Sequence, residues 1–177
     1  VIGVACVEYG GLVLAGPEEE LLSRFYAIRE QVWQLEKVAD PYRGRRLRGL
    51  LVSAGFDRVE ATTKYFSYGT EEAVESFGRA RAEDCSDRWY SASAQKYGLA
   101  TASDLEAMSR AWLAWSRSSE AYAAFAWCRA EQAGGNAAAD RDFFGFRNVA
   151  IGLVRVLGRT GGCSQVDAAD RVAAQHG

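Results

Sequence analysis

The chain has few of the residues from which reactive centres are built. Its one histidine, His176, is the penultimate residue, where chains fray, which makes it a poor base or metal ligand. Without a second histidine, no Ser-His-Asp or Cys-His pair can be assembled. The four cysteines, Cys6, Cys85, Cys128 and Cys163, stand dozens of residues apart with no CxxC pair. That excludes the close spacing of a disulfide framework or a zinc site and points to reduced, mostly buried thiols in a cytoplasmic protein. No apolar run approaches the roughly 18–20 residues that span a bilayer, and no basic segment leads into an apolar stretch and cleavage site. Neither sign of charge is in excess: 21 basic residues face 23 acidic ones, interspersed, for a net charge of −2. Electrostatics therefore give no reason to expect nucleic acid or an anionic membrane as a partner. Methionine occurs only at Met108, and Val1 opens directly in an apolar strand pattern, so the chain reads as a piece of a longer reading frame.

Enough remains for one folded domain with a core, since nearly half of the residues (49%) are apolar. Residues 1–9, Val-Ile-Gly-Val-Ala-Cys-Val-Glu-Tyr, are almost continuously apolar or small. This is the pattern of a parallel strand covered on both faces, and Gly10-Gly11 would end it. Pro17 followed by three glutamates starts a helix that carries Leu22, Phe25, Tyr26, Val32 and Trp33 to about Lys37. A second helix runs from about Gly44 to Ser53, with Gly55 placed for a left-handed cap. A strand over 56–68 ends at Gly69, and Thr70 caps a third helix. Ser103 and Glu106 have the spacing of a capping box for a helix bearing Met108, Trp112 and Trp115. The bulky residues at 122, 125 and 127 favour a final strand ahead of Gly134-Gly135. Beyond it, 143–157 and 166–175 read as helical pieces of an unassigned tail.

The order Val1–Tyr9 with Gly10-Gly11, then Pro41-Tyr42-Arg43-Gly44-Arg45-Arg46-Leu47, Ala54-Gly55-Phe56 and Ala126-Trp127-Cys128, resembles the carboxyl-terminal half of class I S-adenosylmethionine-dependent methyltransferases of the ubiquinone/menaquinone type. The resemblance implies an α/β fold: half of a Rossmann-like sheet, strands five, seven and six, with flanking helices and a helical tail. It covers residues 1 to about 132 and leaves 133–177 unassigned. It implies methyl transfer to a small organic acceptor, with S-adenosylmethionine as the parent family's cofactor. The family's Gly-x-Gly loop and ribose-binding acid have no counterpart here, so no tight cofactor binding is expected of this chain. Ala5 and Cys6 stand where relatives place an arginine and an acid, and no catalytic residue is assigned.

Four residues are candidates for substrate binding. Glu8 and Tyr9 would stand at the carboxyl end of a parallel strand, where open α/β sheets place ligands, unless they are ordinary strand-end residues. In the resemblance, Tyr26 and Trp33, seven apart on one helix face, would line the acceptor side; an aromatic stripe is otherwise core. The cluster Arg43, Arg45, Arg46 and Arg48 reads as a solvated helix face rather than a phosphate site. A reading from a different class is a non-catalytic association module. Residues 1–9 carry one charge and no proline, so as an exposed edge they would pair with another chain or with a second copy.

Overall fold

The structure, a computed structural model, describes residues 3–132; the readings at 143–157, 166–175, Cys163 and His176 lie outside the described residues. Strand β1 spans Gly3–Ala15 and helix α1 spans Glu19–Glu36. A 3-10 turn, Gly44–Arg46, runs into helix α2, Leu47–Ser53, followed by strand β2, Val59–Tyr68. Helices α3 (Glu71–Asp84), α4 (Arg88–Lys96) and α5 (Ala102–Trp115) precede strand β3, Tyr122–Gln132.

Local chemistry accounts for the boundaries. The acids Glu19 and Glu20 occupy the first turn of α1, and Lys37, at φ 55°, closes it: its N–H donates to the Gln34 carbonyl at 3.3 Å and the Val38 N–H to the Trp33 carbonyl at 3.1 Å. Gly55 has φ +90°, and the Phe56 N–H reaches back 3.1 Å to the Leu51 carbonyl, so α2 stops as its sequence indicated. The Thr70 hydroxyl accepts from the Ala73 N–H at 3.2 Å to cap α3. Asp87 does the same for α4 with the N–H groups of Trp89 and Tyr90. The capping box of α5 is Thr101 with Asp104, not Ser103 with Glu106. The two pairs have identical spacing, and a helix start two residues earlier selects the first.

The sheet has three strands in the order β1-β3-β2, and neighbouring strands run antiparallel. The β2–β3 contacts display the direction: Thr63 meets Cys128, and further along β2 Ser67 meets Tyr122. This corrects the expected fold class. Among the described residues, a three-stranded, all-antiparallel sheet with five α-helices is not the parallel core of a Rossmann-like methyltransferase. The apolar run of β1 suggested a parallel strand because such runs report burial on both faces. Burial is indeed what it reports, and it does not fix the direction of the neighbour. Nor does Gly10-Gly11 end β1, which continues to Ala15.

The described residues fall into two compact units. The first comprises 3–9, 42–64 and 126–132. Its core is Cys6, Leu47, Leu51, Val59, Cys128 and Ala130, with Val4 and Phe56 packed against it. The second comprises 10–41 and 65–125. Its core is aromatic: Phe25, Tyr26, Phe77, Trp112, Trp115 and Phe125 meet ring to ring, mostly edge-on. The Trp115 indole N–H donates to the Ala15 carbonyl at 2.8 Å.

Candidate functional site

The first unit holds one polar cluster built around a buried carboxylate. Glu8 lies within β1, not at its end, and its side chain is only 7% exposed. Alternation along the strand turns Val4, Cys6 and Glu8 to the same face, the face on which the 3-10 turn and α2 lie. One carboxylate oxygen of Glu8 accepts from Arg45 Nε at 2.9 Å and from Arg45 Nη2. The other accepts from the Arg45 backbone N–H at 3.0 Å. This is a charge-assisted pair in which one oxygen takes both guanidinium donors and the other a backbone donor.

The arginine is 56% exposed, and its guanidinium lies 5.0 Å from the Tyr42 ring centroid. The hydrogen bonds that Arg45 donates to Glu8, and then the charge of Glu8, raise the guanidinium above its usual pKa. Close approach makes the geometry possible. A Cβ on Gly44 would fall 2.9 Å from Glu8 Cβ and 3.0 Å from Cys128 Cβ and Sγ. On the far side, the Cys128 thiol lies 3.4 Å from the Thr63 hydroxyl. The cluster anchors the 3-10 turn on the sheet and cancels the charge of Glu8.

That account predicts an asymmetry. Arg45→Ala leaves a buried carboxylate facing a single backbone N–H and is expected to lower the urea midpoint clearly. The double variant Glu8→Met/Arg45→Ala removes the charge as well and should recover much of the loss. Equal midpoints for the two variants would mean that the carboxylate does not need its cation.

The second unit has its own buried charge. Arg29 donates to Asp84 Oδ2 at 2.8 Å, and Arg81 shares that oxygen at 3.1 Å. The Arg29 guanidinium lies 5.9, 5.4 and 5.8 Å from the ring centroids of Phe25, Trp33 and Tyr90. These contacts tie α1 to α3 and α4. Burial, and then the Asp84 carboxylate, push the neighbouring Cys85 thiol up to about 12. Burial also raises the Tyr90 phenol, which donates to the Phe25 carbonyl at 3.2 Å. A shallow cavity of about 260 Å³ opens beside Cys85. Its donors are turned back onto the helices: Ser86 to the Glu83 carbonyl, Gln95 to Ser91 and Ser109 to Ala82.

The four substrate-binding candidates thus fall in two places. Glu8 and Tyr9 are buried in the first unit, while Tyr26 and Trp33 are buried in the second. Glu8 is held by Arg45. Tyr26 packs edge-on against Trp112 and Phe125, and Trp33 faces Arg29. Arg45 itself read as part of a solvated helix face. The available signal was a lone acid in an apolar strand, which requires a cation, together with a run of arginines downstream to supply one. Cys6, Cys85 and Cys128 are buried and form no disulfide among the described residues. Among the described residues, no cluster of three or more His, Cys, Asp or Glu could hold a metal, and no helix is long and apolar enough to cross a membrane.

A scan against models of known protein families finds no match, and a search of curated proteins finds none of significant similarity. The likeness to class I methyltransferases is therefore not sustained, and the sheet argues against it independently. That architecture holds its cofactor where the carboxyl ends of parallel strands lie side by side. Antiparallel neighbours bring no such pair to one edge, so the reading of the chain as a methyltransferase does not stand.

Proposed function

We propose that this chain is an association module that accepts a strand from another polypeptide along the outer edge of β1. The reading rests on the contrast between the two edges of the sheet. At the β2 edge, residues Glu60 to Ser67 are all exposed and include Glu60 and Lys64. Charged, solvated edges of this kind resist pairing with other chains. At the β1 edge, every residue from Gly3 to Tyr9 is buried or half-buried, with no proline or lysine. Its one charge, Glu8, is neutralised by Arg45. Such burial belongs to the interior strand of a sheet, yet among the described residues β1 has only β3 beside it. An apolar edge without lysine or proline favours pairing with another chain, and strand addition is a common mode of such recognition.

Sedimentation of the full chain at about 100 μM, a level at which open edges tend to associate, tests the reading. The unmodified chain should associate, and Val4→Lys should raise the monomer fraction, with circular dichroism verifying that the variant is folded. A monomeric unmodified chain that binds no added strand would end this reading.

A further inference from the structure

The register of β1 on β3 brings two cysteines of the first unit face to face. A Cβ on Gly3 would lie 3.8 Å from Glu131 Cβ. That is the close approach of directly opposed residues, since diagonal neighbours stand farther apart, at roughly 7 Å. Counting along the antiparallel pair from there sets Val4 against Ala130, which pack in the same cluster. Two further steps set Cys6 against Cys128. The two side chains also share a face. Alternation turns Cys6 and Glu8 the same way, and a Cβ on Gly44 would meet both Glu8 Cβ at 2.9 Å and Cys128 Sγ at 3.0 Å. Cys6 and Cys128 accordingly belong to one buried cluster with Leu47 and Leu51. Directly opposed residues of antiparallel strands have Cα atoms about 4.5 or 5.5 Å apart. Both values fall inside the range of roughly 4.4–6.8 Å that a disulfide bridges.

We propose that Cys6 and Cys128 form a reversible redox pair, closed into a cross-strand disulfide by exchange with a low-molecular-weight disulfide. Cys128 is the entry point, because its Sγ lies 3.4 Å from the hydroxyl of Thr63, an exposed residue. The Cys128 thiol loses its proton and attacks one sulfur of the oxidant, and the first small thiolate leaves and takes up a proton. The Cys6 thiol, likewise deprotonated, attacks Cys128 Sγ in the mixed disulfide and expels the second small thiolate. The protein thereby gives up two electrons and two protons, and the oxidant departs as two thiols. Closure carries the Cys128 sulfur from Thr63 to Cys6 and joins β1 covalently to β3. The crosslink restricts the unfolded chain, so the oxidised form resists denaturant better than the reduced one.

The test incubates the full, reduced chain with oxidised glutathione in the absence of denaturant. Remaining thiols are then alkylated in urea, and tryptic peptides are sorted by mass. Peptide 1–24 carries Cys6, 82–88 carries Cys85, 118–129 carries Cys128 and 160–171 carries Cys163. The expected product joins 1–24 to 118–129 and leaves Cys85 open to alkylation. Its urea midpoint should be higher than that of the reduced chain, and dithiothreitol should return it to the starting value. Cys6→Ser should stop at a glutathione adduct on Cys128, with no thiol opposite to release it. A crosslink from either peptide to 160–171, a chain that glutathione leaves unchanged, or a crosslink that forms only in urea would overturn the pair. A Cys6→Ser chain that takes no glutathione on Cys128 would overturn the order of attack.

Discussion

Trp112→Ala is expected to destabilise the protein by about 3–5 kcal/mol, the range for emptying a large aromatic site in a core. Trp112 is fully buried and stands at the centre of a ring cluster. The centroids of Phe25, Tyr26, Phe77 and Trp115 lie 5.6, 5.9, 5.8 and 5.4 Å from its own. These rings come from α1, α3 and α5, so the cavity would open among three helices at once. Domains of this size are stable by only about 5–15 kcal/mol in total, and Trp112→Ala should unfold at a small fraction of the original denaturant concentration. Trp112→Phe should behave very differently. The indole N–H of Trp112 is buried and has no hydrogen-bond partner among the described residues. Removing it relieves a penalty of about 1–3 kcal/mol, which offsets the loss of volume. Guanidinium titrations of both variants decide the matter: a phenylalanine variant as unstable as the alanine variant would mean that the N–H is satisfied after all.

The second large effect is expected at Gly44. A methyl group there must displace either β1 or β3, because the atoms it meets, Glu8 Cβ and Cys128 Cβ, are fixed by the backbones of those strands. Overpacking of this kind costs about 1–3 kcal/mol. Lifting the turn would also lengthen the bond from the Arg45 N–H to Glu8, so Gly44→Ala should lie at or above the top of that range. Gly49 provides the control, since a Cβ there meets nothing within 4 Å and alanine favours the helix. Gly49→Ala should therefore be neutral or slightly stabilising. Equal denaturation midpoints for the two variants would show that the turn does not sit tightly on the sheet.

The local grammar of the chain was legible and its long-range pairing was not. Pro17 with its glutamates, Thr70 and Gly55 each bound an element by chemistry confined to a few neighbouring residues, and each element appears where those signals put it. Strand direction depends on which segments meet. The apolar run of β1 is equally compatible with parallel and antiparallel neighbours once both faces are covered. Gly10-Gly11 misled for a related reason: glycine permits a turn but does not impose one, and both residues fit an extended strand. The polar site was hidden by distance, since Glu8 and Arg45 are 37 positions apart. Nothing in the local spacing of Arg43, Arg45, Arg46 and Arg48 singles out the arginine that reaches Glu8.

The environment of Cys85 makes the protein a recorder of its own opening. Burial raises this thiol to about 12, which keeps it protonated at neutral pH, and the thiolate is the form that alkylating reagents attack. While α3 and α4 stay closed around it, the sulfur is both shielded and protonated. Once that region opens, its pKa returns to the range of an ordinary cysteine and its reactivity rises by orders of magnitude. The rate at which Cys85 is alkylated therefore follows the opening of this region, as an opening rate where alkylation outpaces reclosing and as the open population where it does not.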